Sequence, residues 1–413
     1  MKDQTLSRRN FIQQTRNGML VATAFSMVPA RAFGANDRLR IGIIGCGSRA
    51  YSSLIPEILQ FAGEENVVIS AVCDVWRQHR EEAAAKVEAH FNTAPQAYVD
   101  YEELLAQPDL DAVVIATPEH QHTTMLEKAI QAGKDVYCEK PLAMNMAELN
   151  QAVDAVKASD RVVQMGTQLR SWPSFTGCRQ VVREGQLGQV VKVMQVRNTY
   201  RPYWHDYIRP IKEEDTDWKR FLFNKEDRPF DADQHSTWYG YRDFTIGPIA
   251  SMMAHFVDLI HYITGVGFPE SAVCLANTYA WKDARTVPDS MHALLDYKQF
   301  MVSFCVAYGN GGGNSMRFFG TKGMLDATNW REPILSGEGS QDPDRVKEAH
   351  QVPDAEATPH MQNWLQCLRT RKKPHADIDA GYQHAVACIL ANEALLHKRQ
   401  MVYHHETRSI QPA

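Results

Sequence analysis

The chain has 413 residues, of which 44% are hydrophobic and 23% are charged, a composition typical of a folded globular protein. Its length predicts two or three domains, because one domain has roughly 150 residues. The formal net charge of −5 argues against a nucleic-acid-binding surface. The composition leaves a soluble enzyme or a binding protein.

The N-terminal segment has the features of an export signal. Residues 7–12 (SRRNFI) resemble a twin-arginine motif, and an apolar stretch from Met19 to Val28 and the small residues of Ala30-Arg31-Ala32 follow. The apolar stretch is too short for a membrane span, which takes about 20 residues. We therefore expect a signal peptide over residues 1–32, recognition by the twin-arginine export machinery, and a soluble periplasmic protein without a membrane span. The alternative is an ordinary basic amphipathic N-terminus.

Residues 33–160 alternate short β-branched runs with helical patterns, which predicts a parallel sheet flanked by helices. Strands are predicted over residues 40–44, 67–73, 111–116 and 135–138. Thr117 and Pro118 are typical of a helix start, and Gly133 of its end. Pro56 is expected to kink or shorten the first helix.

Residues 161–413 are predicted to form an α+β domain around one large, mostly antiparallel open sheet. Helices are predicted over residues 174–184, 248–263 and 360–398, and strands over 190–199, 272–281, 291–308 and 315–326. Residues 200–246 are rich in Trp, Tyr, Arg and Asp and predict long loops. We assign substrate binding and oligomerisation to this domain and an α/β dinucleotide-binding fold to the first.

The loop after the first predicted strand has the form G-x-G-x-x-A, and its glycines let the backbone approach a pyrophosphate at a helix start. Asp74 ends the second strand, where a carboxylate accepts ribose hydroxyls and repels a 2′-phosphate. The pattern therefore predicts a Rossmann domain that prefers NAD to NADP. The predicted cofactor contacts in these two elements are Gly45, Cys46, Gly47, Ser48, Arg49 and Asp74. The alternative is a glycine turn beside an acidic strand end.

Three further motifs are placed at strand ends of the same sheet: Thr117-Pro118 with His122, Glu139-Lys140-Pro141, and Gly166-Thr167-Gln168. Together with the glycine loop, they resemble the Gfo/Idh/MocA oxidoreductases, named for glucose-fructose oxidoreductase, inositol dehydrogenase and rhizopine catabolism proteins. The resemblance runs from about Leu39 to about Ala394. It implies NAD over the strand ends, contacted also by Thr117, His122, Glu139, Lys140 and Gln168.

The resemblance also implies that Lys140 lies between cofactor and substrate and that His255, on a helix of the second domain, completes the catalytic pair. Oxidation of a hydroxyl needs a group that takes the proton from oxygen. Desolvation beside a positive nicotinamide would loosen the Lys140 proton. The alternative is a surface lysine followed by proline.

The helix around His255 departs from the family pattern. The family usually has Asp four residues before this His, and here that position is Ser251. A serine supplies no carboxylate, so His255 is expected to be less basic. We predict no metal site, because His255 and His261 point in different directions around one helix.

Loop aromatics beside paired hydrogen-bond groups suit a carbohydrate. The predicted substrate contacts are Arg170, Trp238, Tyr241, Arg242 and His360. The alternative is loop packing or a subunit contact, and a lone His such as His360 is more often structural.

The preferred interpretation is an exported NAD-dependent oxidoreductase that acts on a sugar or glycoside with a tightly held, internally recycled cofactor. Recycling is expected because little free NAD is present outside the cytoplasm. Two alternatives stay open: a redox-neutral NAD-dependent glycoside hydrolase resembling the α-N-acetylgalactosaminidases of this superfamily, and a non-catalytic sugar-binding protein. The resemblance implies a homodimer or homotetramer.

Overall fold

The computed structural model describes residues 37–413. The predicted signal peptide at residues 1–32 lies outside the described residues. Two β-sheets organise the described chain, a parallel one in the first part and a mostly antiparallel one in the second. This arrangement confirms the predicted fold class.

The first sheet has six parallel strands in the order β3-β2-β1-β4-β5-β6. They are β1 (Leu39–Ile44), β2 (Val67–Cys73), β3 (Gln96–Tyr98), β4 (Ala112–Ile115), β5 (Asp135–Cys138) and β6 (Val163–Met165). Most residues of β1, β4 and β5 are buried, because helices cover both faces of the sheet. Strand β6 lies beyond residue 160, so the sheet extends past the predicted domain boundary.

Five α-helices connect these strands: α1 (Ile55–Phe61), α2 (Arg77–Phe91), α3 (Tyr101–Leu105), α4 (His122–Gln131) and α5 (Met146–Lys157). A π-helical turn, Ala50–Leu54, precedes α1, and the change of helix type occurs beside Pro56, which has no N–H to donate. Thr117 does not cap a helix as predicted. Its hydroxyl faces the Met125 sulfur, and a short 3₁₀ turn, Glu119–Gln121, leads into α4.

The second sheet has ten strands in the order β14-β13-β12-β11-β7-β10-β9-β8-β15-β16. They are β7 (Val190–Val196), β8 (Ser271–Asn277), β9 (Ser290–Asp296), β10 (Met301–Ala307), β11 (Ser315–Gly320), β12 (Gly323–Asp326), β13 (Ile334–Ser336), β14 (His350–Gln351), β15 (Met401–His404) and β16 (Ser409–Pro412). Only β7 and β10 pair in parallel. The predicted strands 291–308 and 315–326 are each a hairpin of two strands, because turns at Lys298 and Lys322 interrupt their alternation.

Six further α-helices belong to the second part: α6 (Pro173–Arg183), α7 (Trp218–Leu222), α8 (Ala232–Ser236), α9 (Ala254–Thr264), α10 (His360–Thr370) and α11 (Ile378–His397). The predicted helix 248–263 begins as a π-helical turn, Ile249–Met253, and continues as α9. Helix α10 packs on the first domain, where Trp364 lies 5.7 Å from the Tyr137 ring. The two domains therefore share a core.

No helix within residues 37–413 is long and apolar enough to cross a membrane. The face of the second sheet away from α9 and α11 exposes apolar side chains, among them Leu275 with 76% of its surface and Val191 with 48%. Such a face is typical of a protein contact surface.

Candidate active site

A crevice of about 400 Å³ opens at the carboxyl edge of the first sheet. It lies between the loops after β1 and β4, where the strand order reverses and doubly wound sheets bind ligands. Gly45 forms the first loop with a φ of +85°, and a Cβ there would lie 2.7 Å from the Ala116 carbonyl oxygen. Glycine is therefore required where the two loops meet.

Gly47, Ser48 and Arg49 line the crevice where the first helix begins, so the helix N-terminus faces the bound group. Cys46 is not among the residues that line the crevice, since its side chain is buried and its amide donates to Asp74 Oδ2 at 2.7 Å. The Arg49 Nε donates to Glu139 Oε1 at 2.6 Å. Four predicted cofactor contacts, Cys46, Gly47, Ser48 and Arg49, therefore lie together in the loop after β1.

Asp74 lines the same crevice at the end of β2. Its two oxygens accept from the amides of Cys46 and Trp76, the latter at 2.8 Å. Burial alone would raise the pKa of Asp74, but His79 and these amides lower it below the ordinary value. The structure therefore presents a fixed anion beside a helix start, an arrangement that fits the ribose and pyrophosphate of a dinucleotide.

A segment of the second part, residues 207–244, completes the crevice, and we call it the strap. Its lining residues include Tyr207, Ile211, Arg220, Phe221, Phe223 and Trp238. The apolar members are grouped around α7, where Trp218, Phe221 and Phe244 form a small core of their own. The strap is thus a packed wall and not a row of open loops.

Ion pairs and hydrogen bonds hold the strap against the first domain. They join Arg77 to Asp215, Arg220 to Asp100 at 2.7 Å, the Asp217 amide to the Val75 carbonyl at 3.1 Å, and the Gln121 side chain to the Phe221 carbonyl at 2.9 Å. Their first-domain partners follow β2, β3 and β4. A dinucleotide in the crevice would therefore lie under a wall fastened across three strand ends.

Lys140 follows β5 and reaches from the first domain to the second. Its Nζ donates to the carbonyls of Ala250 at 3.2 Å and Ser251 at 3.3 Å, which belong to the π-helical turn before α9. Neither Lys140 nor Glu139 is among the residues that line the crevice. The carbonyls hold the Lys140 amine at the junction of the two domains.

Glu139 is a buried carboxylate at this junction. Burial would raise its pKa, but Arg49 and Lys140 lower it below the ordinary value. A Cβ on Gly166 would lie 2.7 Å from this carboxylate, so Gly166 leaves the space that Glu139 fills. The sequence predicted Glu139 as a direct cofactor contact. In the structure it is a buried partner of Arg49.

His255 has no carboxylate partner, as Ser251 predicts. Its Nδ1 has no hydrogen-bond partner. Burial, and then the charge of Lys140, lower the pKa of His255 well below its ordinary value. The imidazole is therefore neutral beside the Lys140 charge, and the share in proton transfer predicted for His255 stays a prediction.

Sequence reasoning missed Glu119, which follows Thr117-Pro118. Its side chain is 3% exposed, and neither oxygen has a partner in hydrogen-bond geometry. Burial raises the pKa of Glu119 to about 8, although Lys140, the Thr245 hydroxyl and the Ile246 amide oppose this shift. An acid in the first turn after a strand-end Thr-Pro was the signal available in the sequence.

Two predicted contacts after β4 and β6 have other roles. The His122 ring is 1% exposed and lies between the carbonyls of Pro141 and Thr117, at 2.8 and 2.9 Å. This corrects its prediction as a cofactor contact, because the ring joins two loops and does not face the crevice. Gln168 also lies outside the crevice lining, and its buried Oε1 has no hydrogen-bond partner.

Four predicted substrate contacts also lie outside the crevice lining. Arg170 donates to buried Asp258 at 2.7 Å, Tyr241 donates to Asp233 at 2.6 Å, Arg242 donates to the Thr286 carbonyl at 3.2 Å, and His360 bonds to Ser171 and to the Met165 carbonyl. Their polar atoms are used in packing the fold. Their substrate contacts stay predictions.

Trp238 does line the crevice, stacked on Tyr239 with ring centroids 3.6 Å apart. Tyr203 and Tyr207 each lie 5.4 Å from the Tyr239 ring. This aromatic cluster is half-exposed and provides ring faces next to hydroxyl groups. Within residues 37–413, no group of three or more His, Cys, Asp or Glu side chains could hold a metal ion.

Comparisons with known families agree with this geometry. Residues 39–167 match the oxidoreductase family with an NAD-binding Rossmann fold, and residues 221–326 match the GFO/IDH/MocA C-terminal domain. The chain belongs to the Gfo/Idh/MocA oxidoreductase family. The predicted family is thereby confirmed, and NAD binding is assigned to the first domain.

Related proteins of the Gfo/Idh/MocA family carry two kinds of name. The chain is 32% identical over 160 residues to an uncharacterized oxidoreductase of Rhizobium meliloti, covering 39% of this chain and 46% of that protein. It is 25% identical over 237 residues to a glycosyl hydrolase family 109 protein of Shewanella baltica, covering 48% and 51%. The matches thus span about half the length of these relatives.

Solved structures share the fold over most of the chain. The WlbA dehydrogenase of Bordetella pertussis, in complex with NADH and UDP-GlcNAcA, is 20% identical, with a TM-score of 0.66 over 89% of this chain and 99% of that one. Levoglucosan dehydrogenase, in complex with NADH and levoglucosan, is 17% identical, with a TM-score of 0.68 over 88% and 99%. At these identities the likeness establishes the fold.

Asp74 is expected to set the preference for NAD. Asp74→Ser should weaken NAD binding about 10- to 100-fold, the effect of losing a hydrogen bond to a charged group, and should reduce the discrimination against NADP. Calorimetric titration of nucleotide-free protein with each dinucleotide measures both effects. The exposed Asp344 provides the control variant Asp344→Ser, and an unchanged ratio of the two affinities in Asp74→Ser would contradict this role.

Proposed function

We propose that the protein oxidises a hydroxyl group of a sugar or glycoside with an NAD molecule that stays bound and is regenerated within the catalytic cycle. The strap is the observation that carries this proposal. It lines the crevice and is fastened to three strand ends of the first domain. Release of a dinucleotide would require these contacts to break together.

Bound NAD would accept the hydride that leaves the substrate carbon. Gly45, Gly47, Ser48 and Asp74 would hold it, because they provide the glycine turn, the helix start and the anion that face the crevice. Lys140 would take the hydroxyl proton. The carbonyls of Ala250 and Ser251 fix its amine where the two domains meet.

A sugar substrate is supported by the aromatic cluster of Tyr203, Tyr207, Trp238 and Tyr239. Sugar rings have an apolar face that packs on aromatic rings, while hydroxyls at the ring edge exchange hydrogen bonds. The names of the dehydrogenases that share the fold, one with levoglucosan and one with UDP-GlcNAcA, point to the same substrate class.

Export and recycling belong to one proposal. Residues 7–12 resemble a twin-arginine motif, and we propose that the protein is exported in folded form with NAD already bound. Regeneration inside the cycle would then replace exchange with a cytoplasmic pool. A fusion of residues 1–36 to a reporter, with Arg8 and Arg9 replaced by Lys, tests this step, and export that survives the replacement would oppose it.

Loosening the strap should accelerate loss of NAD. Arg220→Ala removes the ion pair with Asp100, and we expect NAD to dissociate about two- to fivefold faster at low salt, because exposed ion pairs contribute up to about 1 kcal/mol. Arg317→Ala is a matched control, since Arg317 is as exposed as Arg220, at 45%, and also pairs with a carboxylate. Stopped-flow fluorescence of NADH displaced by excess NAD measures the rate. Equal rates in wild type and Arg220→Ala would argue against the strap.

A redox-neutral glycoside hydrolase is the second candidate, and the match to a glycosyl hydrolase family 109 protein favours it. In that cycle the oxidised glycoside loses its aglycone, adds water and is reduced again. A panel of nitrophenyl glycosides separates the two functions. Nitrophenol release without accumulation of reduced nicotinamide identifies the hydrolase, whereas a product oxidised at the sugar identifies the oxidoreductase.

We also propose that the protein forms a dimer or tetramer through the exposed apolar face of the second sheet. Leu275 and Val191 lie on it, and burial of such a face is typical of homo-oligomers. Sedimentation of Leu275→Lys against wild type tests this contact. An unchanged sedimentation coefficient would assign the oligomer, if one forms, to another surface.

A further inference from the structure

Glu119 is a buried carboxyl that the reaction described above does not use. It belongs to the 3₁₀ turn after β4 and is 3% exposed, and neither oxygen has a partner in hydrogen-bond geometry. A buried carboxyl without a full set of hydrogen bonds destabilises a fold. Such a group is expected where its protonation has a use.

Glu119 and Lys140 lie at the same junction of the two domains. Glu119 follows β4 and Lys140 follows β5, which is its neighbour in the sheet. The Lys140 charge, the Thr245 hydroxyl and the Ile246 amide each oppose the rise in the pKa of Glu119, and Thr245 and Ile246 lie just before the π-helical turn whose carbonyls hold the Lys140 amine. The other ionisable groups that sense its charge are Tyr239 of the strap, Tyr308 after β10 and Cys388 of α11. Among these groups, Lys140 alone carries a positive charge.

The absence of a carboxylate at position 251 suggests a role for Glu119. The family usually supplies a carboxylate from that helix, and here position 251 is a serine. Glu119 brings a carboxyl group to the same junction from the other domain. We propose that Glu119 stores the proton that Lys140 removes from the substrate hydroxyl, and that it returns this proton when the carbonyl is reduced again.

The proton balance of this step is closed. Lys140 passes one proton to the Glu119 carboxylate, so one N–H bond breaks and one O–H bond forms. The amine then takes the hydroxyl proton as the hydride leaves the substrate carbon for NAD. The site ends with a protonated carboxyl group and a protonated amine, and the reverse transfers restore it. Glu119 acts through Lys140 and is therefore a positioning residue for the proton. This inference rests on the proposed function.

The proton affinity of Glu119 suits the task. Its pKa, raised to about 8 by burial, leaves part of the population as carboxylate at neutral to mildly basic pH, and this fraction takes up a proton that the protonated form can release. Folding therefore favours the protonated form. This contribution to the free energy of unfolding is fully present below the ordinary pKa of 4.5 and is lost as the pH rises through about 8.

Infrared difference titration tests the inference without turnover. Between acidic and basic pH, the wild-type protein should show a protonated carboxyl band that disappears in the neutral to mildly basic range and that Glu119→Gln removes. Lys140→Met should move this titration to higher pH, because the lysine charge lowers the pKa of Glu119. Glu127→Gln is the control, since the pKa of this acid on α4 is also raised by burial and its partner is Gln151.

Turnover supplies the second readout, on the most active nitrophenyl glycoside of the panel. Glu119→Gln should lower kcat about tenfold or more near pH 8, where part of the wild-type population holds the Glu119 carboxylate, with little change in KM. A wild-type band that Glu119→Gln leaves in place, or a titration that Lys140→Met does not move, would overturn the inference. Absence of bound NAD would instead sink the proposed function, so the two failures are distinguishable.

Discussion

Lys140→Met is expected to abolish turnover while the protein keeps its NAD. Removal of a positioned acid–base group typically costs about 10²- to 10⁴-fold in rate. Met has a similar length and no proton to exchange, and the glycine loop, the first helix and the strap that form the crevice are untouched. Rates on the glycoside panel and the nucleotide content of the same preparation are the two measurements.

Lys140→Arg separates proton transfer from charge. A guanidinium keeps the positive charge but does not lose its proton under any physiological condition. We therefore expect Lys140→Arg to be nearly as inactive as Lys140→Met. Full activity in either variant would reject the role of Lys140, and it would leave a non-catalytic sugar-binding protein as the better interpretation of the fold.

Gly45→Ala is expected to yield a less stable protein without bound nucleotide. Its φ of +85° costs an L residue about 1–2 kcal/mol. The added Cβ would also lie 2.7 Å from the Ala116 carbonyl group and 2.8 Å from the Thr117 nitrogen, a distance that real side chains do not adopt. The two loops must therefore separate, and the crevice between them is distorted.

Gly63→Ala is the matched control, because no atom lies within 4 Å of the Cβ that it would add. Thermal unfolding and nucleotide content should match wild type in Gly63→Ala and both should fall in Gly45→Ala. If Gly45→Ala does not fold, Gly47→Ala still tests the loop, since its Cβ meets only the His79 ring at 3.5 Å. A stable Gly45→Ala protein with a full complement of NAD would contradict the assigned geometry.

Local signals predicted most of the first domain. Strands β2 and β5 have the predicted bounds, because buried β-branched runs bounded by polar residues identify central parallel strands. The glycine loop and Asp74 were predicted from spacing, and both line the crevice. The hairpins of the second sheet were merged, since their turns at Lys298 and Lys322 carry weak turn signals.

The rest of the site depends on tertiary contacts. Residues 200–246 were predicted as loops, but nothing local shows that Phe221 and Trp238 line a crevice of the other domain. The same holds for two histidines. His122 and His360 are chemically suited to a ligand, and only the fold reveals that backbone carbonyls and the Ser171 hydroxyl bond to their nitrogens.

Glu119 was missed because an acid in a first helical turn is ordinarily explained by the helix dipole. Thr245 and Ile246, which oppose the rise in its pKa, lie more than a hundred residues away in the chain. Ser251 was noticed as a departure from the family pattern. The carboxyl group that takes its place comes from a different domain, and no spacing within the helix predicts it.

The central claim is that NAD is enclosed before the protein reaches its destination and stays there through turnover. The most direct measurement is the nucleotide released when protein purified from the exported fraction, and dialysed extensively, is denatured by heat. We predict one NAD for each chain, with reduced and oxidised forms summed and NADP absent. A supernatant that contains no dinucleotide, from protein that is folded and active, would contradict the account.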